Sequence, residues 1–147
     1  MLQRTPENAI FSLQQVFVTA FLAGEKCIEL RRKAPSLAVG SHIWFYSKLP
    51  VGKIVASARL QSVAILPVEQ IWAEHQHGIS LDREHFDGYL AGLSEAAIMS
   101  FDKFSSLSEP IDLETLRRIE PGFQPPQFFR RVHEGRLLNK LSEVKPV

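Results

Sequence analysis

The sequence predicts an α+β fold: a mixed sheet or small barrel of five to six strands, with short helices packed at its ends. Three observations carry this expectation. Segments rich in β-branched and aromatic residues recur along the chain, most of them closed by Pro or Gly. The segments with helical spacing are short, about ten residues each, so they must be held by packing against something larger. The length of 147 residues, with 45% hydrophobic and 22% charged residues, suits one domain with a core of its own. That domain is expected over residues 9–132, between a loose polar arm, 1–8, and a frayed polar tail, 133–147.

Ala9 to Leu13 is short and apolar, a buried strand. Gln14 to Ala23 places apolar residues at 16, 17, 20 and 21, which is helical spacing, and Gly24 follows as a C-cap. Cys27 to Arg32 reads as a strand with Ile28 and Leu30 on one side and Cys27, Glu29 and Arg31 on the other. Pro35 and Gly40 bracket a loop. His42 to Tyr46 is aromatic and β-branched, a clear strand signal. Leu49 to Gly52 is turn chemistry, and Lys53 to Leu66 is a long strand stopped by Pro67.

Two short helices follow, Val68 to His77 and Leu81 to Leu90, the second capped by Ser80. Glu95 to Phe104 is a strand. Asp112 caps a helix from Leu113 to Ile119, ended by Pro121-Gly122. Gln124 to Gln127 is extended because prolines disfavour helix before them, and Phe128 to Val132 is a final strand.

The net charge is only +1, which rules out an argument for nucleic-acid binding from overall charge. Its distribution is uneven. Residues 1–60 hold 8 Lys/Arg and 3 Asp/Glu, residues 61–120 hold 4 and 11, and residues 121–147 hold 5 and 2. The basic ends can form one positive face if they fold together, leaving the acidic middle, 61–120, as a candidate protein-docking face.

A single cysteine, Cys27, forms no internal disulfide and fits a reducing cytoplasm. No stretch approaches the roughly 18 apolar residues of a membrane span. Glu74, His75, His77 and His85 lack metal-ligand spacing, so no metal site is expected. No G-x-S-x-G, Walker or G-x-G-x-x-G pattern occurs, and no cofactor is expected.

The informative segment is Gly24 to Arg32, G-E-K-C-I-E-L-R-R. Glu29 and Arg31 share a strand side and can pair, whereas Lys26 joins them only if the chain enters through a loop or bulge at Gly24. A Lys beside a carboxylate in a cleft can move a proton or hold a phosphate. The plain alternative is a surface strand with salt-bridged charges of little energetic weight.

An apolar helix, a Gly, K-x-x-E-x-R, a prolyl loop and an aromatic strand followed by G-K-I-V resemble the ASCH family of PUA-like barrels. The late Pro125-Pro126-Gln127-x-Phe129 stretch resembles the same family's closing signature. The resemblance spans about residues 9 to 132. It implies a PUA-like β-barrel whose cleft is lined by the Lys26, Glu29, Arg31 segment. Relatives have been assigned to RNA binding, coactivator roles, single-strand RNA cleavage and hydrolysis of acylated nucleosides. The acyl-hydrolysing relatives carry a Thr where this chain has Glu29, which turns the expectation away from amide hydrolysis.

Beyond that segment, Tyr46 and Lys53 are candidates to bind or cleave a phosphodiester, with Lys53 stabilising developing charge. Trp44 is a candidate to stack a base. Arg32, Gln127 and Arg130 are candidates to extend the binding surface. Three readings stay open. The first is a binder of single-stranded RNA or a nucleotide through Lys26, Glu29, Arg31, Arg32, Trp44, Gln127 and Arg130. The second is a metal-independent ribonuclease, or a nucleoside amidohydrolase, using Lys26, Glu29, Tyr46 and Lys53. The third is a protein-interaction module.

Overall fold

A computed structural model describes residues 4–147. The described residues form six strands and five helices. In chain order these are β1 (Asn8–Leu13), α1 (Gln15–Leu22), β2 (Glu29–Arg31), β3 (His42–Ser47), β4 (Lys53–Pro67), α2 (Val68–Ile79), α3 (Arg83–Tyr89), β5 (Glu95–Asp112), α4 (Leu113–Ile119), β6 (Phe129–Arg131) and α5 (Arg136–Glu143). The strands make one sheet in the order β2-β5-β4-β3-β1-β6, curled into a half-barrel. Only the β1–β3 pair is parallel. A parallel pair needs a crossover, and α1 with β2 and the loop after it supplies one.

The two long strands shape the molecule. β4 has 15 residues and β5 has 18, and their ladder shifts register at three places, between Ile54 and Ala56, Ser57 and Arg59, and Leu60 and Ser62. Each shift bends and twists the pair, so one pair of strands serves several packing layers. Under α1, Phe11, Leu13, Val18, Phe21, Phe45 and Met99 form one core. On the face covered by α4 and α5, Ile10, Trp44, Tyr46, Ile54, Leu116 and Leu141 form a second. A third, beneath α2 and α3, joins Leu30, Ile71, Phe86 and Ile98.

Several boundaries differ from the sequence reading, each for a physical reason. β2 keeps only Glu29 to Arg31, because the amides of Cys27 and Ile28 go to the Gly78 carbonyl of α2 and not to a strand. The cap of α3 is Asp82, whose side chain accepts from the His85 amide, while Ser80 ends α2 in the left-handed conformation. β5 runs past Phe104 to Asp112. Pro110 is tolerated because it lies where the ladder skips, with Ile54 opposite Ile111 and Ala56 opposite Ser106, so no partner calls for its missing N–H.

The tail expected to fray carries α5, whose Leu137 and Leu141 are buried. It continues to a bridge between Leu107 and Pro146. In the arm, residues 1–3 lie outside the described residues. Glu7 is held by an ion pair with Arg131 at 2.5 Å and accepts from the His42 amide at 2.9 Å.

Candidate functional site

The segment Gly24 to Arg32 is placed by the ends of two helices. After α1 the chain turns at Gly24, whose φ of +75° is a left-handed conformation that glycine adopts without strain. The amides of Glu25 and Lys26 both return to the Ala20 carbonyl. Residues 25–28 are therefore a loop, which frees Lys26 from strand alternation. The loop is pressed onto the end of α2: a Cβ added at Gly78 would lie 2.5 Å from the Cys27 sulfur, which would have to rotate away.

Lys26 then turns inward. Its Nζ donates to the Ile79 carbonyl at 2.5 Å, in the last turn of α2, where carbonyls lack helical partners and the helix dipole favours a cation. The same nitrogen sits 3.4 Å from Glu29 Oε1 and 4.9 Å from the centre of the Phe17 ring. Glu29 Oε2 accepts from Arg31 Nη2 at 2.9 Å. That nitrogen also donates to the Ser12 carbonyl at 3.0 Å, and the guanidinium lies over the Phe128 ring at 4.6 Å.

Lys26 is 3% exposed and Glu29 5%, so this is a buried charge cluster and not a surface ladder. Burying each ion costs several kcal/mol, offset here by mutual pairing and carbonyl acceptors. Two cations face one carboxylate, which leaves a local excess of positive charge. Burial pushes the Lys26 ammonium below its ordinary range, against the opposing pull of Glu29. Arg31 Nε is, among the described residues, a buried side-chain nitrogen with no hydrogen-bond partner.

A cavity of about 260 Å³ opens over the cluster, with Phe17, Lys48, His85 and Tyr89 among its walls. His85 was passed over in the sequence because it lacks metal-ligand spacing. What it has is a carboxylate three residues earlier: its Nδ1 lies 2.7 Å from Asp82 Oδ1, and that hydrogen bond raises its pKa above the usual value. The signal was the pair Asp82-x-x-His85 at a helix start, where the cap and the imidazole partner are one residue. Lys48 and Tyr89 gave no comparable signal.

The other sequence candidates are dispersed. Arg32 donates to the Tyr89 and Ala91 carbonyls at 2.8 and 3.2 Å, tying the loop to the end of α3. Trp44 and Tyr46 are 1% and 2% exposed in the core under α4 and α5, and neither lines the cavity over Lys26. Burial pushes the Tyr46 phenol up. Lys53 is exposed and opposite Asp112 in the ladder, one residue past Gly52, near which the Tyr46 hydroxyl sits. Gln127 is exposed between Pro126, whose carbonyl accepts from Ser12 Oγ at 2.6 Å, and Phe128 beneath Arg31. Arg130 is engaged elsewhere, in a two-point pair with Glu120 at 2.7 and 3.0 Å. Among the described residues no three His, Cys, Asp or Glu side chains draw together as a metal site. No helix of the described residues is long and apolar enough to cross a membrane.

No family profile matches the chain. A protein of Zymomonas mobilis named an ASCH domain-containing ribonuclease is 28% identical over 142 residues, covering 95% of both chains. The crystal structure of ASCH from the same organism superposes with a TM-score of 0.87 at 26% identity, over 95% of this chain and 97% of that one. Along nearly its whole length the chain is similar to ASCH proteins of that organism. A tyrosine-to-phenylalanine variant of that ASCH protein gives a TM-score of 0.86 at 25% identity, over 95% of this chain and 99% of the variant. The family resemblance carried by Lys26, Glu29, Arg31 and the late Pro-Pro-Gln stretch thus agrees with similarity along nearly the whole chain.

Proposed function

We propose that this chain binds single-stranded RNA in the cavity over Lys26, Glu29 and Arg31 and cleaves it there. The observation that carries the reading is the buried cluster itself: two cations and one carboxylate at the base of a cavity, with a depressed ammonium among them. A titratable group in a cleft, perturbed by burial together with a specific charged partner, is a candidate for chemistry. The name of the Zymomonas relative supplies the substrate class.

In this reading the deprotonated form of Lys26, which burial favours over that of an ordinary lysine, takes the proton of a ribose 2′-hydroxyl. The 2′-oxygen forms a bond to the adjacent phosphorus, and the bond from phosphorus to the 5′-oxygen breaks. His85, whose protonated form is favoured by the hydrogen bond to Asp82, gives its proton to the leaving 5′-oxygen. Arg31 and Lys48 bear on the charge that develops at the phosphoryl group. The products are a 2′,3′-cyclic phosphate and a 5′-hydroxyl.

The test is turnover of a single-stranded RNA oligonucleotide in EDTA, with the ends of the products identified. Lys26→Met is expected to lose about 100-fold or more in turnover. Turnover unchanged in Lys26→Met, or products ending in 5′-phosphate, would exclude this mechanism. A second reading, binding without turnover, is favoured by the pairing of Glu29 with both cations. It is selected if RNA binds salt-sensitively, loses affinity in Lys26→Met and is recovered intact.

A further inference from the structure

A second cavity, of about 440 Å³, lies away from Lys26, against the outer part of the β3-β4-β5 sheet and the C-terminal tail. Its floor is a pair of stacked rings, His42 on Trp44, with centres 3.8 Å apart and planes 22° from parallel. Three cations stand around it, Arg59 on β4, Lys103 on β5 and Lys145 on the tail. No Asp or Glu is among its described lining residues. None of the three cations forms an ion pair among the described residues. Asp102, opposite Arg59 in the ladder, is exposed and outside the lining.

Backbone geometry fixes the positions of Lys103 and Lys145. At the register shift between Ser57 and Arg59, β5 carries one residue more than β4, and Lys103 in that bulge has a φ of +56°, a conformation that costs a non-glycine residue energy. Lys145 is held because its carbonyl accepts from the Ser108 amide at 2.8 Å and the Val147 amide returns to Ser106 at 2.7 Å. Ser57, Ser105 and Ser142 add hydroxyls to the wall. Burial and the neighbouring Arg59 push His42 down to about 4, so its ring is neutral near pH 7 and can stack without a charge to desolvate.

We infer that this second cavity binds one nucleotide unit, its base stacked on the His42 imidazole and its phosphate among Arg59, Lys103 and Lys145. Planar ring surface beside hydroxyls and cations that form no ion pair, with no Asp or Glu in the described lining, fits a base and its phosphate. The unit comes either from a free mononucleotide or from an RNA chain. The inference stands apart from the reaction proposed at Lys26.

Trp44 lies under the floor and reports on it. In a Trp72→Phe background it is the only tryptophan. Titration of its fluorescence with AMP and with a single-stranded oligouridylate is expected to give saturable change, weakened about tenfold or more by the double variant Lys103→Gln/Lys145→Gln. Response to AMP assigns a free nucleotide; response to the oligomer alone assigns a unit of RNA. Lys26→Met is expected to leave the response unchanged, which separates this site from the other. No response to either probe, or a response indifferent to the double variant, overturns the inference. Inorganic phosphate competing as well as AMP overturns the stacking of a base. The variant's melting temperature, unchanged from the parent, shows that the loss is local.

Discussion

The cavity over Lys26 and the cavity over His42 are both lined by cations, but they hold charge differently. In the first, Lys26 and Glu29 are almost wholly buried and their charges are spent on each other, on Arg31 and on backbone carbonyls. In the second, Arg59, Lys103 and Lys145 are exposed and form no ion pair among the described residues, Arg59 donating only to the Gly40 carbonyl at 3.3 Å. Buried charges are costly to uncouple and easy to perturb, which suits proton transfer. Exposed charges are cheap to keep, screened by salt and suited to holding an anion without altering it. The contrast can be broken at the carboxylate. Glu29→Gln leaves two buried cations without their counter-charge, and chemical denaturation is expected to show a loss of about 3–5 kcal/mol. Arg59→Gln removes an exposed cation and is expected to stay within about 0.5 kcal/mol of the parent. Equal effects would show that burial does not distinguish the two sites.

The wall of the second cavity depends on the C-terminal helix, and Leu141 is fully buried there. Leu141→Ala is expected to cost about 2–5 kcal/mol by the same measurement. A frayed tail would cost almost nothing. The tail shows where sequence reading stops. Leu137, Leu138 and Leu141 have helical spacing, but the segment is short and charged, and its helix exists because the second core receives it. Strand and helix order elsewhere was largely legible, since alternation, prolines and Asp112 act locally.

The site was legible in part. Glu29 and Arg31 pair as alternation predicts, and Lys26 needed the loop at Gly24. The cluster's other partners are backbone carbonyls, that of Ser12 for Arg31 and that of Ile79 for Lys26, which no side-chain pattern announces. Tyr46 was expected with this group. The ladder shift between Phe45 and Tyr46, with the curl of the sheet, leaves its ring in the core under α4 and α5 instead.

Acid–base behaviour sharpens the comparison next. His85 is raised by its hydrogen bond to Asp82, so its protonated form persists above its ordinary 6.5. If it is the acid, turnover falls as pH rises through that raised value. His85→Gln is expected to remove the falling limb, and Asp82→Asn to move it to lower pH. A limb unmoved by both substitutions belongs to another group. His42, already neutral from about 4 upward, is expected to leave oligonucleotide binding at the second cavity flat across the same range.

Salt gives the smallest effect and the finest separation. Single-stranded nucleic acid loses affinity with salt in proportion to the phosphates neutralised, with a logarithmic slope of about 0.7 per contact. With one phosphate of a bound oligouridylate held among Arg59, Lys103 and Lys145, the double variant lowers the slope by at most about 0.7. Lys26 is already paired with Glu29 and the Ile79 carbonyl and has few counterions to release. Lys26→Met is therefore expected to lower turnover while changing the slope by well under one contact's worth, read from direct binding of an end-labelled oligonucleotide to a Lys103→Gln/Lys145→Gln background at several salt concentrations. A full unit lost in Lys26→Met would mean that this ammonium meets the phosphate as a free cation, and its role as the base would fall with that result.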